Sequence, residues 1–284
     1  GSGGTARQNM DRDVVVCGSG SGRGSAAALL DYFEDIWALD TNRKFRANGE
    51  AGRVLRAAAA LRERWAAITG AGRVTPIDWD AETIQAGGVT VLHGDCAARN
   101  KEPVLLNTLT ALMQGGREQV VVQTPYIICN RAMYDALEKA GGAAQVQIIT
   151  NAPQRGANPW GCADYLNQKK AILSTGVSVC EWHGERSMHT KTILIDDRFS
   201  IVGSFNWDMR SAYLDTELML LVDCPELNAA LRAETDEMVR QGRLLLPDGT
   251  AVEGAAYTAP EMPLYKKLLQ PVLRVVIRPF RYVL

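Results

Sequence analysis

Apolar residues recur along most of the chain at two spacings, one typical of helices and one typical of strands. Helical spacing predicts helices over residues 25–39, 50–68, 103–114, 130–140, 163–174 and 225–241. Short apolar runs between polar residues predict strands over residues 13–17, 89–92, 119–123, 145–150, 177–182, 191–196, 199–202 and 217–222. This alternation predicts an α/β fold in which helices flank a central mixed β-sheet.

Polar side chains occur on otherwise apolar strands in the segment 187–217. His189 and Lys191 lie on the first strand of a predicted hairpin, and Ser204 and Asn206 follow its second strand. Because alternate residues of a strand share a face, each pair points the same way if the strands continue. The hairpin therefore predicts that the two polar pairs meet on one face.

These residue types suit an attack on a phosphodiester. The imidazole of His189 can act as a nucleophile or as a proton carrier. The ammonium of Lys191 and the short polar side chains of Ser204 and Asn206 can hold phosphate oxygens. The carboxylate of Glu217 can fix the tautomer of an imidazole and stabilise its charged form.

The spacing of these residues resembles the HxKxxxxD…GSxN…E signature, or HKD motif, of the phospholipase D superfamily. The string GSFNWDMRSAYLDTE (203–217) resembles the bacterial cardiolipin synthase branch, where GSxNxDxRSxxxNxE is typical and Asn usually stands in place of Asp215. TPYIICN (124–130) resembles the segment that opens the second catalytic half, and DRDVVVCG (11–18) resembles the strand after the first motif. The resemblance covers most of residues 11–240 and implies a phospholipase D-like layered fold.

The resemblance also implies roles for the residues of the motif. His189, Lys191 and Glu217 would be catalytic, with His189 as general acid and base and Glu217 holding it. Ser204 and Asn206 would bind the phosphate of the substrate. No metal ion or other cofactor is expected.

Four further positions of the motif have structural expectations. Asp196 lies in the predicted turn of the hairpin, where Asp is a favoured residue, and Gly203 precedes the serine of the motif. Asp208 and Arg210 are expected to form an ion pair that braces the loop after the site.

Two residues outside the motif are candidates for the substrate cleft. Tyr126 follows Thr-Pro at a strand end, and Asn151 follows the strand predicted at 145–150. The alternative for Tyr126 is a packed aromatic ring with a solvated hydroxyl.

The superfamily builds one active site from two motifs, but this chain holds one. Of the three histidines, His93 and His183 are not followed by lysine two residues on. Gly1–Gly4 resembles the turn that ends a first motif, although a remnant of cloning would look the same. We therefore expect the C-terminal part of a two-motif enzyme, with this division: remainder of the first half at 1–41, connecting segment at 42–100, second catalytic half at 101–243, and basic apolar tail at 244–284.

The implied activity is transfer of a phosphatidyl group from a phosphatidylglycerol-like lipid to an alcohol through a phosphohistidine. One alternative is a one-motif phosphodiesterase or nuclease that completes its site with a second copy of the chain. Another is an inactive half that only binds lipid or a partner. The formal net charge of −1 argues against a general nucleic-acid binder, so no nucleic acid is expected as partner.

The end of the chain, residues 264–284, contains five basic residues, no acidic residue and many apolar ones. Pro271 and Pro279 predict short helical pieces at best. Such a segment suits an anionic membrane surface, and we expect peripheral attachment, on the cytoplasmic side of a bacterial membrane. The alternative is a helix docked on the protein with its basic residues solvated.

Overall fold

The structure is a computed structural model, and it describes residues 9–18, 24–43, 51–70, 77–96, 101–259 and 261–284. Its strands, in chain order, are β1 (Asn9–Met10), β2 (Gly88–His93), β3 (Gln119–Gln123), β4 (Ile127–Ile128), β5 (Gln145–Asn151), β6 (Ser178–Trp182), β7 (Ser187–Met188), β8 (Thr192–Ile195), β9 (Phe199–Gly203), β10 (Trp207–Asp208), β11 (Leu218–Asp223), β12 (Gly242–Leu245) and β13 (Ala251–Glu253). Its helices are α1 (Ser25–Trp37), α2 (Ala51–Gly70), α3 (Trp79–Glu82), α4 (Val104–Gln114), α5 (Arg131–Gly141), α6 (Pro159–Leu173), α7 (Met209–Tyr213), α8 (Pro225–Arg240) and α9 (Leu264–Val276), followed by a 3₁₀ helix at Arg278–Val283.

One large mixed sheet organises the described part of the chain. Nine of the described strands form it, in the order β13-β12-β6-β5-β3-β8-β9-β11-β2. The strands β3, β5 and β6 run parallel, whereas β8, β9, β11 and β2 are joined in antiparallel pairs. The expected α/β class with a central mixed sheet between helices is therefore confirmed.

Apolar side chains pack on both faces of this sheet. The larger cluster joins it to α4 and α5 and contains the fully buried Leu109 and Leu137. The smaller cluster lies under α8 and contains Leu194 and Met238. Ile193, next to Leu194 on β8, belongs to the larger cluster. Successive residues of β8 therefore enter different clusters, which fixes the hairpin between two layers.

The strand expected over residues 13–17 is wrong. The structure instead has β1 earlier, where it pairs in parallel with β7. Val15 and Val16 remain exposed, since a β-propensity run forms a strand only where a neighbouring strand accepts its hydrogen bonds. The turn at Gly1–Gly4, expected as the end of a first motif, lies outside the described residues. Most of residues 18–25, a glycine-rich stretch before α1, also lies outside them.

Two parts of the expected domain division, the connecting segment and the boundary before the tail, contribute strands to the sheet. The strand β2, within the expected connecting segment, pairs with β11 at one end of the sheet. At the other end, β12 spans the boundary expected at residue 244 and pairs with both β6 and β13. The β12–β13 hairpin was not predicted, because both strands are too short to show an alternating pattern.

The C-terminal segment forms a continuous helix rather than short pieces. Pro271 lies inside α9, where its missing N–H removes one hydrogen bond to the preceding turn. Side-chain contacts to the rest of the protein hold the helix on both sides of this gap. Lys266 donates to two backbone carbonyls, those of Gln154 at 2.9 Å and Gly156 at 3.0 Å. Arg274 donates to the side-chain oxygen of Asn167 at 3.0 Å.

After α9, Arg281 forms a two-pronged ion pair with the fully buried Asp164, at 2.7 and 2.9 Å. The alternative expectation was a helix docked on the protein with solvated basic residues. The helix is docked, but Lys266 and Arg281 bind groups of the protein and are not simply solvated. The apolar side chains point the other way. Those more than half exposed on α9 are Leu264, Tyr265, Leu268, Leu269, Val272 and Val275.

Gly203 sets a testable requirement of the sheet. A Cβ at this position would lie 2.2 Å from the carbonyl oxygen of Leu218 on β11. We expect Gly203→Ala to lower the free energy of unfolding by about 3 kcal/mol, because a backbone atom cannot move aside cheaply. Urea unfolding measures this, with Gly88→Ala on β2 as the matched control, since a Cβ there meets nothing within 4 Å. Equal losses for both variants would contradict the steric account.

Candidate active site

The backbone before His189 is held from two sides. The N–H of His189 donates to the carbonyl of Met10 on β1 at 2.8 Å. The side chain of the buried Asn151 brackets Met188, donating to its carbonyl at 2.8 Å and accepting from its N–H at 2.7 Å. Asn151, a predicted cleft residue, thus uses its amide to position the strand that carries His189.

The imidazole of His189 contacts a carboxylate that sequence reasoning did not select. Its Nδ1 lies 3.0 Å from Oδ1 of Asp11, and both side chains are partly exposed. A carboxylate at Nδ1 favours the tautomer in which Nδ1 carries the proton, which leaves Nε2 for reaction. The available signal was the resemblance of DRDVVVCG to the strand that follows the first motif, which gave Asp11 no role.

Glu217 has other partners than the expected one. Its two carboxylate oxygens accept hydrogen bonds from the hydroxyl of Ser204 and, at 2.6 Å, from the hydroxyl of Ser211. Burial raises the pKa of Glu217, and these two hydrogen bonds act against that rise. The expectation that Glu217 holds His189 is wrong in this structure, because Asp11 occupies that role.

Lys191 is a buried ammonium among carboxylates. Its Nζ donates to the carbonyl of His189 at 2.6 Å, and the residue is 8% exposed. Burial lowers the pKa of Lys191 to about 8, although the negative charges of Glu217, Asp11 and Asp208 act to raise it. The lysine therefore changes its charge close to neutral pH.

Ser204 and Asn206 lie in the turn between β9 and β10. The hydroxyl of Ser204 accepts from the N–H of Leu218 at 3.0 Å while it donates to Glu217. The N–H of Asn206 donates to the hydroxyl of Ser211 at 3.1 Å. Ser211 thus links Asn206 to Glu217. It is the serine of the Arg-Ser pair in the pattern GSxNxDxRSxxxNxE, which could have signalled this role.

Asn206 also has an unpaired group. Its side-chain oxygen is buried and has no hydrogen-bond partner among the described residues. Because the two ends of an amide are interchangeable by rotation, an NH₂ group could occupy the same place. A buried amide end without a partner suits an oxygen atom of a ligand.

The expected ion pair between Asp208 and Arg210 is wrong. The buried carboxylate of Asp208 accepts from the N–H of Ser211 at 2.7 Å and caps α7. Burial raises the pKa of Asp208, and the hydrogen bonds from Ser211 act against that rise. Arg210 pairs with Asp215 at 2.8 Å, where the resemblance pattern usually has asparagine. The charge of Asp215 thus supplies the partner that Arg210 was expected to find in Asp208.

Asp196 lies at the other end of β8, about 16 Å along the strand from Lys191. It has a positive φ of 48° in the hairpin turn. Its carboxylate accepts from the backbone N–H groups of Arg117, Glu118 and Gln119, at 3.1, 2.9 and 3.1 Å. Burial acts to raise the pKa of Asp196, but these donors outweigh it and lower the pKa. Its contacts tie the hairpin to the start of β3 and are structural.

Tyr126 lies beside the first turn of α6. That turn is capped by Asn158, whose side chain accepts from the N–H groups of Trp160 and Gly161. This cap starts α6 four residues before the position predicted from the apolar spacing. A Cβ on Gly161 would lie 3.0 Å from Cδ1 of Tyr126. Burial raises the pKa of Tyr126, so its phenol stays protonated at neutral pH.

The arrangement brings together an oriented imidazole, a buried ammonium, a hydroxyl and an amide. These groups can hold an anionic oxygen and move one proton. Across the described ranges, no group of three or more His, Cys, Asp or Glu residues could hold a metal ion.

The chain is similar to known proteins over much of its length. Residues 109–239 match the family model described as "Cardiolipin synthase, PLD-like domain". Cardiolipin synthase A of Salmonella arizonae is 27% identical over 197 residues, which cover 62% of this chain and 39% of that protein. The chain thus spans about two fifths of the length of the curated relatives it matches.

Two solved structures are also similar. Phosphatidylserine synthase of Haemophilus influenzae matches with 19% identity and a TM-score of 0.48, over 69% of this chain and 48% of that one. Nuc of Salmonella typhimurium, a phospholipase D family member, matches with 16% identity and a TM-score of 0.45, over 56% of this chain and 99% of that one. Both TM-scores lie below 0.5.

The pKa of Lys191 generates a prediction about anion binding. We expect the affinity of the chain for sulfate to fall about tenfold between pH 7 and pH 9, because Lys191 loses its positive charge around pH 8. Sulfate keeps its charge over this range, and isothermal titration calorimetry measures its binding. Lys191→Arg stays protonated and should bind equally at both values. A tenfold fall that persists in Lys191→Arg would place the titrating group elsewhere.

Proposed function

Residues 109–239 carry a phospholipase D-like domain, and on that premise we propose that this chain supplies one catalytic half of a phosphatidyltransferase of the cardiolipin synthase type. The observation that carries the proposal is the pair of His189 and Asp11 beside the buried ammonium of Lys191. The substrate is a phosphatidylglycerol-like lipid, and the acceptor is an alcohol such as the glycerol end of a second lipid.

The reaction needs two imidazoles, of which this chain holds one in a His-x-Lys motif. The imidazole of the other motif attacks phosphorus and forms a P–N bond, while the bond from phosphorus to the leaving alkoxide oxygen breaks. His189 begins this step as an imidazolium, with one proton on Nδ1 toward Asp11 and one on Nε2, and Nε2 gives its proton to that oxygen. It then takes the proton of the incoming alcohol, whose oxygen attacks phosphorus and releases the first imidazole.

Charge on the phosphoryl oxygens is balanced by groups of the described site. The ammonium of Lys191 and the unpaired amide of Asn206 offer donors for these oxygens. Ser204 has one proton and gives it to Glu217. It can therefore serve a phosphate oxygen only when Glu217 finds another donor.

The second imidazole is a suitable donor for Glu217. Asp11 reaches His189 from outside the predicted catalytic half at 101–243. In the reverse arrangement, the carboxylate of Glu217 in this half would orient the histidine of the other motif. Each histidine would then be oriented by a carboxylate from the half that does not contain it.

A one-motif phosphodiesterase is the second candidate, and the single His-x-Lys motif favours it. Two copies of the chain would then contribute one histidine each across a two-fold axis. Sedimentation of the active species distinguishes the two: turnover confined to a dimer of this chain supports the second candidate. A chain that binds lipid without turnover in either state would be an inactive half.

We also propose that the chain attaches to the surface of a membrane through α9. Within the described residues, no helix is both long and apolar enough to cross a bilayer. Most apolar side chains of α9 are exposed, and so are Lys267 within the helix and Arg278 directly after it. Leu268 and Val275, at 68% and 66% exposed, would enter the acyl layer while these two charges meet lipid phosphates.

The role of His189 is tested by changing the leaving group in the two-motif protein that the proposal requires. His189→Ala should reduce transfer from phosphatidylglycerol at least about 1000-fold, because an alkoxide needs a proton to leave. The burst of nitrophenolate from a p-nitrophenyl phosphodiester should survive, since that group leaves without protonation. His183→Ala is the control for loss of a histidine. Loss of the burst in His189→Ala would make His189 the nucleophile.

Membrane attachment is tested with two sets of variants. Leu268→Ser with Val275→Ser should weaken binding to anionic and neutral vesicles alike, because apolar burial does not depend on lipid charge. Lys267→Ala with Arg278→Ala should weaken binding only to phosphatidylglycerol vesicles, by about fivefold for each charge. Cosedimentation measures both. Unchanged binding of the serine variants would place α9 away from the membrane.

A further inference from the structure

A cavity of about 260 Å³ lies between the first turns of α6 and the helix α9. Its lining is largely apolar: Pro153, Pro159, Trp160, Cys162, Tyr265, Lys266, Leu269, Gln270 and Leu273. This size is close to the lower end of small-molecule sites, which begin at about 300 Å³. The cavity is therefore large enough for part of a flexible apolar ligand.

The cavity opens on the side of the protein where the apolar residues of α9 are exposed. Its rim residues Trp160, Tyr265 and Leu269 are 41%, 61% and 51% exposed, whereas Cys162 in its wall is 8% exposed. Leu269 belongs both to the rim and to the outward apolar face of α9. A ligand could therefore pass from an apolar layer at that face into the cavity without crossing a charged surface.

The wall of the cavity is also joined to the candidate active site. Cys162 follows Gly161, against which the ring of Tyr126 packs. The N–H of Ala157, in the loop before α6, donates to the hydroxyl of Ser187 at 3.2 Å. Ser187 lies on β7, two residues before His189. The hydrogen bond from Ala157 to Ser187 thus joins the loop before α6 to the strand that leads to His189.

The charge at the cavity favours an anionic amphiphile. Among the described residues that line the cavity, Lys266 is the one with a charged side chain. Its ammonium donates to the carbonyls of Gln154 and Gly156. An ammonium has three N–H groups, so one is left for an oxygen of a ligand. An apolar chain that ends in an acyl ester and a phosphate would satisfy both the lining and this donor.

We propose that this cavity binds an acyl chain of the phospholipid substrate, with its ester end toward Lys266 and its phosphate toward His189. The inference rests on the proposed function for the identity of the lipid. It adds a site that selects the substrate by its chain, separate from the groups that hold its phosphate.

Binding can be measured without catalysis, with short-chain lysophosphatidylglycerols below the concentration at which they form micelles. Each methylene that enters the cavity should tighten binding about fourfold, the equivalent of about 0.8 kcal/mol, until the cavity is full. A bromine at the chain terminus should quench Trp160, and this quenching should disappear in Trp160→Phe. Affinity that does not depend on chain length, or quenching that persists in Trp160→Phe, would overturn the proposal.

A matched pair of variants separates the cavity from the outward face of the same helix. Leu273 lines the cavity, whereas Leu268 is 68% exposed and lies outside it. Leu273→Phe should weaken binding of the longest lysolipid at least tenfold by filling the cavity, and Leu268→Phe should change it less than twofold. Equal effects of the two substitutions would contradict the proposal. If Leu273→Phe does not fold, the bromine quenching in the unmodified chain still decides it.

The two proposals fail in different ways. Chain-dependent quenching of Trp160 without phosphatidyl transfer by the two-motif protein would keep the cavity assignment and overturn the proposed activity. Transfer that proceeds normally, with no lysolipid bound at Trp160, would overturn the cavity assignment alone.

Discussion

The site depends on one backbone contact that leaves no room for a side chain. At Gly203, β9 approaches β11 so closely that a Cβ would lie 2.2 Å from the carbonyl of Leu218. This approach brings the hydroxyl of Ser204 to Glu217 and to the N–H of Leu218. Ser211 then bonds the same carboxylate and receives the N–H of Asn206. A steric condition on one residue thus positions the phosphate-binding candidates.

Buried charge explains much of the remaining arrangement. A carboxylate or an ammonium removed from water needs hydrogen bonds or an opposite charge. Lys191 meets this need with the carbonyl of His189 and the nearby carboxylates. Glu217 meets it with two hydroxyls, and Asp208 meets it with the N–H of Ser211 in α7. The partners differ from those expected because the nearest donors in space are not the nearest in the motif.

The same rule orients the C-terminal segment. Asp164 is fully buried, and Arg281 satisfies it with two hydrogen bonds. Lys266 and Arg274 dock on carbonyl and amide oxygens of the protein. Because Lys266 and Arg274 bind the protein, α9 presents most of its apolar residues to the outside and borders the cavity beside α6. This polarity is the reverse of that of a helix packed on a hydrophobic core.

The sequence by itself determined the α/β class, most elements from α4 to α8, and the motif residues His189, Lys191, Ser204, Asn206 and Glu217. Apolar periodicity and short-range spacing carry this information, because both depend on neighbours along the chain. Only the tertiary structure decided that Asp11 contacts His189, that Glu217 is held by Ser204 and Ser211, and that Arg281 reaches Asp164. These contacts join residues up to 178 positions apart. They are chosen by which donor and acceptor the packed layers leave facing one another, and no local pattern records that choice.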